Sequence, residues 1–187
     1  GPDGAATVTF DGADYLTIKN FRIENTGTVA PVYGVLFTNT ANYNTIDNNE
    51  IIVPTGTTTN IVGVLTSNSY SASVGTAAEG NNANYTTISN TAINGGYYGI
   101  RFHGSSSTAS DNTNNTVHNC TINTYYAGVY FYYQDGPIVT GSTVNLTNPS
   151  SGYGIYSGYA SDANYSGNTL VDARTYGIYF TQNNTTA

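Results

Sequence analysis

The sequence predicts an all-β solenoid: a stack of about six coils of short parallel strands, with no helix of note. Three observations carry the prediction. Two short motifs alternate along the chain at variable spacing, the signature of a stacked repeat. Apolar residues alternate with polar ones inside these motifs, as strands with one buried face require. The composition is poor in the residues that sustain helices: of 187 residues, 25 are Asn, 30 Thr, 15 Ser and 21 Gly. A hydrophobic fraction of 39%, with 13% aromatic, still supplies a core and argues against a disordered chain. The length suits a single domain over residues 1–187.

The first motif is an apolar residue, any residue, Asn, two more residues and a second apolar residue. It reads Ile18-Lys19-Asn20-Phe21-Arg22-Ile23, Ile46-Asp47-Asn48-Asn49-Glu50-Ile51, Ile88-Ser89-Asn90-Thr91-Ala92-Ile93 and Val117-His118-Asn119-Cys120-Thr121-Ile122. Two later copies carry Gly for Asn: Val139-Thr140-Gly141-Ser142-Thr143-Val144 and Tyr165-Ser166-Gly167-Asn168-Thr169-Leu170. The register of the last is open by about three residues, because Ala163-Asn164-Tyr165 also matches the lead-ins Ala41-Asn42-Tyr43 and Ala83-Asn84-Tyr85. The second motif is Gly, apolar, variable, then usually aromatic. Its copies are Gly34-Val35-Leu36-Phe37, Gly63-Val64-Leu65-Thr66, Gly99-Ile100-Arg101-Phe102, Gly128-Val129-Tyr130-Phe131, Gly154-Ile155-Tyr156-Ser157 and Gly177-Ile178-Tyr179-Phe180. The Gly-to-Gly steps of 29, 36, 29, 26 and 23 residues mean constant strands joined by variable loops.

The elements of one coil follow in order. The Gly-led segment is the first strand, with Val129 and Phe131 inward and Tyr130 outward. The second strand carries an outward Thr row, Thr17, Thr45, Thr87 and Thr116. Strand propensity and cross-strand hydroxyl contacts explain that row. The neighbouring row of Lys19, Asp47, Ser89, His118 and Thr140 is mixed and charged, unlike a flat ice-binding face. The following turn holds Asn20, Asn48, Asn90 and Asn119, which can bond copy to copy as a ladder across the strand spacing. The rest of the motif is the third strand.

These residues resemble the right-handed, single-stranded parallel β-helix of the pectate-lyase-like superfamily, over about residues 7 to 182. The resemblance implies that the Asn row is the family's ladder at the tight turn between second and third strands. Asp11-Gly12-Ala13-Asp14-Tyr15-Leu16-Thr17-Ile18 and the Asn/Thr-rich coils are similar to large secreted surface proteins of Bacteroidota-type bacteria. That implies a bacterial protein that is secreted or displayed at the cell surface. The fold hosts lyases, hydrolases, epimerases, adhesins and phage spikes, so it does not fix function. Neither end shows an amphipathic capping segment. The chain therefore reads as a segment of a longer protein, whose further repeats or domains would be its neighbours. Gly1-Pro2 matches the scar of a cleaved expression tag.

Charge narrows the partners. Four Lys and Arg face eleven acids, for a net charge of −7. Nucleic acid is not an expected partner, since phosphate binding needs clustered cations. No apolar run reaches the length of a membrane helix, so no membrane insertion is expected. Cys120 is alone, which excludes an internal disulfide and a Cys-based zinc site.

The candidate ligand face is the outward row of the first strands: Leu36, Leu65, Arg101, Tyr130, Tyr156 and Tyr179. Tyr130, Tyr156 and Tyr179, with Arg101 at their flank, form an aromatic row suited to the C–H faces and hydroxyls of sugars. Long loops over residues 67–83 and 103–114 would wall the same face and bring Glu79, His103 and Asp111 beside Arg101, with Asp135 one coil on. His103, Arg101, Asp111 and Asp135 are the constellation available for acid–base work. Known enzyme signatures of this fold do not match: there is no Asp cluster with a Lys or Arg base, and no paired Asp with Gly-His-Gly. Tyr98-Gly99-Ile100-Arg101-Phe102-His103 shares only Tyr, Gly and His with the epimerase signature Tyr-Gly-Phe-Asp-Pro-His. No cofactor is expected. Asp3, Asp11 and Asp14 are the Ca²⁺ candidates, although their spacing fits no known Ca²⁺ loop and a turn explains them.

Three readings follow: a non-catalytic domain that binds polysaccharide or cell-surface glycan, or adheres; a polysaccharide lyase or epimerase working in a loop-walled groove; and a structural stalk of a long adhesin.

Overall fold

The computed structural model describes residues 6–68, 82–105 and 112–182, and it is a parallel β-solenoid of about six turns. The first coil comprises β1 (Ala6–Asp11), β2 (Thr17–Lys19) and β3 (Arg22–Glu24). The second holds β4 (Val32–Thr38), β5 (Thr45–Asp47) and β6 (Glu50–Ile52). The third holds β7 (Ile61–Thr66), β8 (Thr87–Ser89) and β9 (Ala92–Asn94). The fourth holds β10 (Tyr98–His103), the short β11 (Asn112–Thr113), β12 (Thr116–His118) and β13 (Thr121–Thr124). The fifth holds β14 (Ala127–Asp135), β15 (Ile138–Thr140) and β16 (Thr143–Leu146). The sixth holds β17 (Tyr153–Ser161), β18 (Asn164–Ser166) and β19 (Thr169–Val171), and β20 (Tyr176–Thr181) begins another turn. No helix long and apolar enough to cross a membrane occurs among the described residues.

Each strand pairs in parallel with its counterpart in the next coil, giving three sheets around one interior. The register runs through identical motif positions. Ile18, Ile46, Ile88, Val117, Val139 and Tyr165 form one column, and Ile23, Ile51, Ile93, Ile122, Val144 and Leu170 another. This settles the last copy of the Asn motif in the register that places Tyr165 first. The Thr row pairs as expected from Thr17 to Thr116. The columns fill a continuous core that is dry in the middle coils, where Phe102 is 1% exposed, and open at the last strand, where Phe180 is 54% exposed.

The Gly of the first strand has a steric reason. A Cβ on Gly34, Gly63, Gly99, Gly128 or Gly154 would lie 2.5–2.8 Å from the carbonyl oxygen of the equivalent Gly in the next coil. On the other side it would meet a branched side chain of the third-strand column: Ile51, Ile93, Ile122, Val144 or Leu170. Backbone and core approach so closely here that any side chain would push coils apart.

The expected Asn ladder shifts by one residue. Asn20, Asn48, Asn90 and Asn119 do stack at the turn, but all four are exposed and have left-handed backbone, with φ of 49–64°. Gly141 and Gly167 continue the series at 62° and 67°. Asn and then Gly occupy this position because both tolerate this conformation. Among these side chains, Asn48 Nδ2 donates to Asn20 Oδ1 at 2.7 Å. The buried bonding belongs to the next position. Asn49 accepts from the Phe21 N–H at 2.8 Å and donates to the Ile18 carbonyl at 2.9 Å. The thiol of Cys120 donates to the carbonyls of Ile88 and His118, and the Cys120 N–H donates to Ser142 Oγ. Asn168 repeats the Asn49 pattern, accepting from the Ser142 N–H and donating to the Val139 carbonyl. A second ladder runs down the third sheet, from Asn145 to Asn123 at 2.8 Å and from Asn123 to Asn94 at 2.7 Å. Side chains thus bond backbone groups where the chain turns away from its sheets.

Gly128→Ala should lower the unfolding free energy by about 2–3 kcal/mol through overpacking, because its Cβ would collide with the Val144 side chain and sit 2.8 Å from the Gly154 oxygen. The urea midpoint measures this, and an unchanged midpoint would show that the Gly column does not set the coil spacing. A second expectation concerns acid. Asp47 is held down to about 2 by hydrogen bonds from Lys19, Asn90 and Ser89, with Lys19 Nζ 2.7 Å away. The folded value lies below the unfolded value of about 4. Its contribution is therefore present above about pH 4 and lost as pH falls to about 2. The Asp47→Asn variant should show a flatter fall of thermal midpoint across that window than the parent; parallel curves would contradict the coupling.

Candidate functional site

The alternation of the first strands puts Leu36, Leu65, Arg101, Tyr130, Tyr156 and Tyr179 in one row on the outer face of the large sheet, each paired directly with the next. Outward does not mean exposed along the whole row. Leu36 and Leu65 are fully buried and Arg101 is only 4% exposed. The early coils carry a second apolar cluster on this face, built from Tyr33, Leu36, Val62, Leu65, Tyr98 and Ala127. The row emerges at Tyr130, Tyr156 and Tyr179, all partly exposed.

These three rings form a column. Tyr130 and Tyr156 stack at 4.5 Å and 13°, and Tyr156 and Tyr179 follow at 5.2 Å and 38°. A second column of Tyr97, Tyr126, Tyr153 and Tyr176 runs beside it at steps of 4.6, 5.5 and 6.0 Å. Tyr153 meets Tyr156 edge to face at 5.3 Å. On the other flank the Tyr132 ring lies over Gly158, where a Cβ would collide with it, and Tyr133 stacks on Tyr159 at 4.5 Å. Stacked rings spend their faces on each other, so the flat exposed platform expected from the sequence becomes a partly buried field of phenol edges and hydroxyls. A further stack, Tyr15, Tyr43 and Tyr85 at 4.8 and 4.7 Å, sits at a different corner. These last three, with Tyr133 and Tyr159, have left-handed backbone, a strained state for a bulky residue.

Arg101 stands at the head of the column. Its Cζ lies 5.3 Å from the Tyr130 ring centre and 5.7 Å from that of Tyr98, within cation–π range. Its Nη2 lies 2.8 Å from His103 Nδ1. Burial, and then the Arg101 cation, push His103 down to about 3, so the imidazole is neutral near pH 7 and accepts from the guanidinium. A general base works best with a value near the operating pH, and His103 lies far from it.

The structure brings Arg101 and His103 together but gives Asp135 other work. Asp135 lies beyond the left-handed Tyr133 and accepts from the Ser161 hydroxyl at 2.7 Å. Asp111, Glu79 and the Ca²⁺ candidate Asp3 lie outside the described residues. Asp11 accepts from the Asn39 amide, and Asp14 from the Asn42 N–H at 2.6 Å. Among the described residues no three His, Cys, Asp or Glu side chains converge as a metal site would need. The sequence reading missed the flanking rings. A signal was present, since Tyr33, Tyr98, Tyr153 and Tyr176 each stand directly before the first-strand Gly.

Burial raises the phenols of this face. Tyr132 is pushed up to about 12 by burial first and then by Tyr156, Tyr159 and Tyr133. Tyr33 is also pushed up to about 12 by burial, against the opposing pull of Arg101. Tyr130, Tyr126 and Tyr98 shift the same way for the same leading cause. The hydroxyls therefore stay protonated, each able to donate and accept. Folded values above the unfolded value of about 10 mean that this stability is intact below about pH 10. It is lost as pH rises through about 12. An alkaline ultraviolet titration should show a late-ionising class of tyrosines that unfolding brings back to ordinary values. A single transition near 10 would contradict the burial of this face.

No curated protein matches the chain in sequence. Among solved structures, it is similar to PfbA, a surface adhesin of Streptococcus pneumoniae, with a TM-score of 0.56 and 12% identity over 89% of this chain. The chain spans about half of that protein's chain, 50%, and at this identity the likeness is one of fold. The family model for NosD, described as periplasmic copper-binding protein, matches residues 52–187, from the end of the second coil through the last described strand. With the stacked coils and well over half of its length matched, the chain belongs to the NosD family of parallel β-helix proteins.

Proposed function

We propose that the chain is a non-catalytic, glycan-binding β-helix domain of a bacterial protein that is secreted or displayed at the cell surface. The observation that carries this reading is the tyrosine field around Tyr130, Tyr156 and Tyr179. Hydroxyl-bearing rings, held rigid by stacking, present phenol edges and hydroxyls that match a ligand rich in hydroxyl groups. Rigid rings lose little side-chain freedom on binding. The family's periplasmic description and the adhesin neighbour both support a location outside the cytoplasm.

The copper named in the family description finds no suitable donors among the described residues. Copper favours thiolate, thioether and imidazole ligands. The chain has no Met, and its two His and one Cys do not converge. His103 is buried against Arg101, and His118 Nδ1 lies 2.9 Å from the Thr140 hydroxyl. Burial pushes Cys120 up to about 11, which keeps its thiol protonated and bonded to backbone carbonyls. Catalysis has equally little support, with the His103 value pushed down to about 3, far below the operating pH, and Asp135 engaged by Ser161.

A glycan array followed by calorimetry tests the proposal. Tyr156→Ala should weaken binding of the best glycan at least about tenfold, in line with the loss of a central aromatic anchor. Tyr156→Phe, which keeps the stack, should weaken it several-fold. Absence of binding to any glycan by the parent protein, or unchanged affinity in both folded variants, would overturn the reading.

A further inference from the structure

Three of the four fixed cations lie at the surface beside acids. Lys19 pairs with Asp47, Arg22 with Glu24 and Glu50, and Arg174 with Asp172. Arg101 is different. It is 4% exposed, and no carboxylate among the described residues pairs with it. The guanidinium meets His103 through Nη2 and also interacts with the Tyr98 hydroxyl, while Nε and Nη1 are buried without a partner in hydrogen-bond geometry. A buried guanidinium with unmet donors and no counter-charge costs the free protein stability. The row itself offers an apolar solution, since Leu36 and Leu65 hold the same position in the two preceding coils and are fully buried.

We propose that Arg101 receives an oxyanion carried by the glycan, so that the tyrosine face takes an acidic rather than a neutral polysaccharide. This inference rests on the glycan-binding reading above. The guanidinium caps a continuous column of Tyr130, Tyr156 and Tyr179. A sugar chain lying along that column would have two unfilled N–H donors buried beneath its head. An acid group satisfies both and neutralises the charge, and the planar guanidinium suits a carboxylate or sulfate. Because Arg101 is only 4% exposed, binding of the acid group requires side chains packed on the guanidinium to move.

The test compares carboxylated polygalacturonate, sulfated dextran and neutral dextran on the parent protein, Arg101→Leu and Arg101→Lys. The parent should bind at least one acidic polymer at least tenfold more tightly than neutral dextran, and the pair of acidic arms identifies the anion. Arg101→Leu should lose that preference while its thermal midpoint rises, because the free protein sheds an unpaired buried charge. Arg101→Lys should keep part of the preference. If Arg101→Leu does not fold, a rise in the parent's thermal midpoint with glucuronate or glucose 6-sulfate, absent with glucose, carries the same information. Equal binding of neutral and acidic polymers, or an Arg101→Leu variant that melts earlier and binds unchanged, would overturn the inference and leave the glycan reading standing. A parent protein that binds none of the polymers would remove both.

Discussion

Every other feature of this molecule depends on the hydrogen bonding of each coil to the next in fixed register. The second and third strands of a coil are only three or four residues long. None could persist alone, because a short strand leaves most of its backbone groups unpaired. Stacking pairs them above and below at one stroke. It also aligns equivalent residues, so a residue type chosen once is repeated as a column. The Gly column marks the tightest point of this arrangement, where the core side chains of one sheet and the carbonyls of the next coil leave no room for a Cβ.

Alignment makes the side chains cooperate. At the turn after the second strand, left-handed backbone recurs in all six coils, carried by four Asn and then by Gly141 and Gly167. One residue on, Asn49, Thr91, Cys120, Ser142 and Asn168 face inward and bond groups that the sheets cannot reach. Cys120 is used in this way as a weak polar side chain, not as a reactive thiol. The heavy use of Asn, Thr and Ser thus has a structural purpose: corners need compact donors and acceptors, not charge.

The same alignment builds the aromatic face. Tyrosines at equivalent positions stack because the coils stack, and the raised phenol values follow from that crowding. Arg101 breaks the pattern by placing a cation where two earlier coils place Leu. Elsewhere the rows obey the logic of packing. At Arg101 local stability and the residue present disagree, and such disagreements are where function is to be sought.

Much of the fold was legible in the sequence. The motif Gly-Val-Tyr-Phe at residues 128–131 specifies a strand with Val129 and Phe131 inward, and the structure pairs those positions with Ile100, Ile155, Phe102 and Ser157. The substitution of Gly for Asn at Gly141 and Gly167 already carried the left-handed turn, because those two residue types share that conformation. The sequence determined the coils, their order, the column each residue joins and the row that contains Arg101 and three tyrosines. Only the tertiary structure decided which of those columns water reaches. Alternation fixes the side of a sheet on which a residue lies. It does not say what covers that side: Leu36, Leu65 and Arg101 are buried, while the same row opens at Tyr130. Burial, and with it the raised values of the phenols and the unmet donors of Arg101, is a property of the packed neighbourhood and not of the strand.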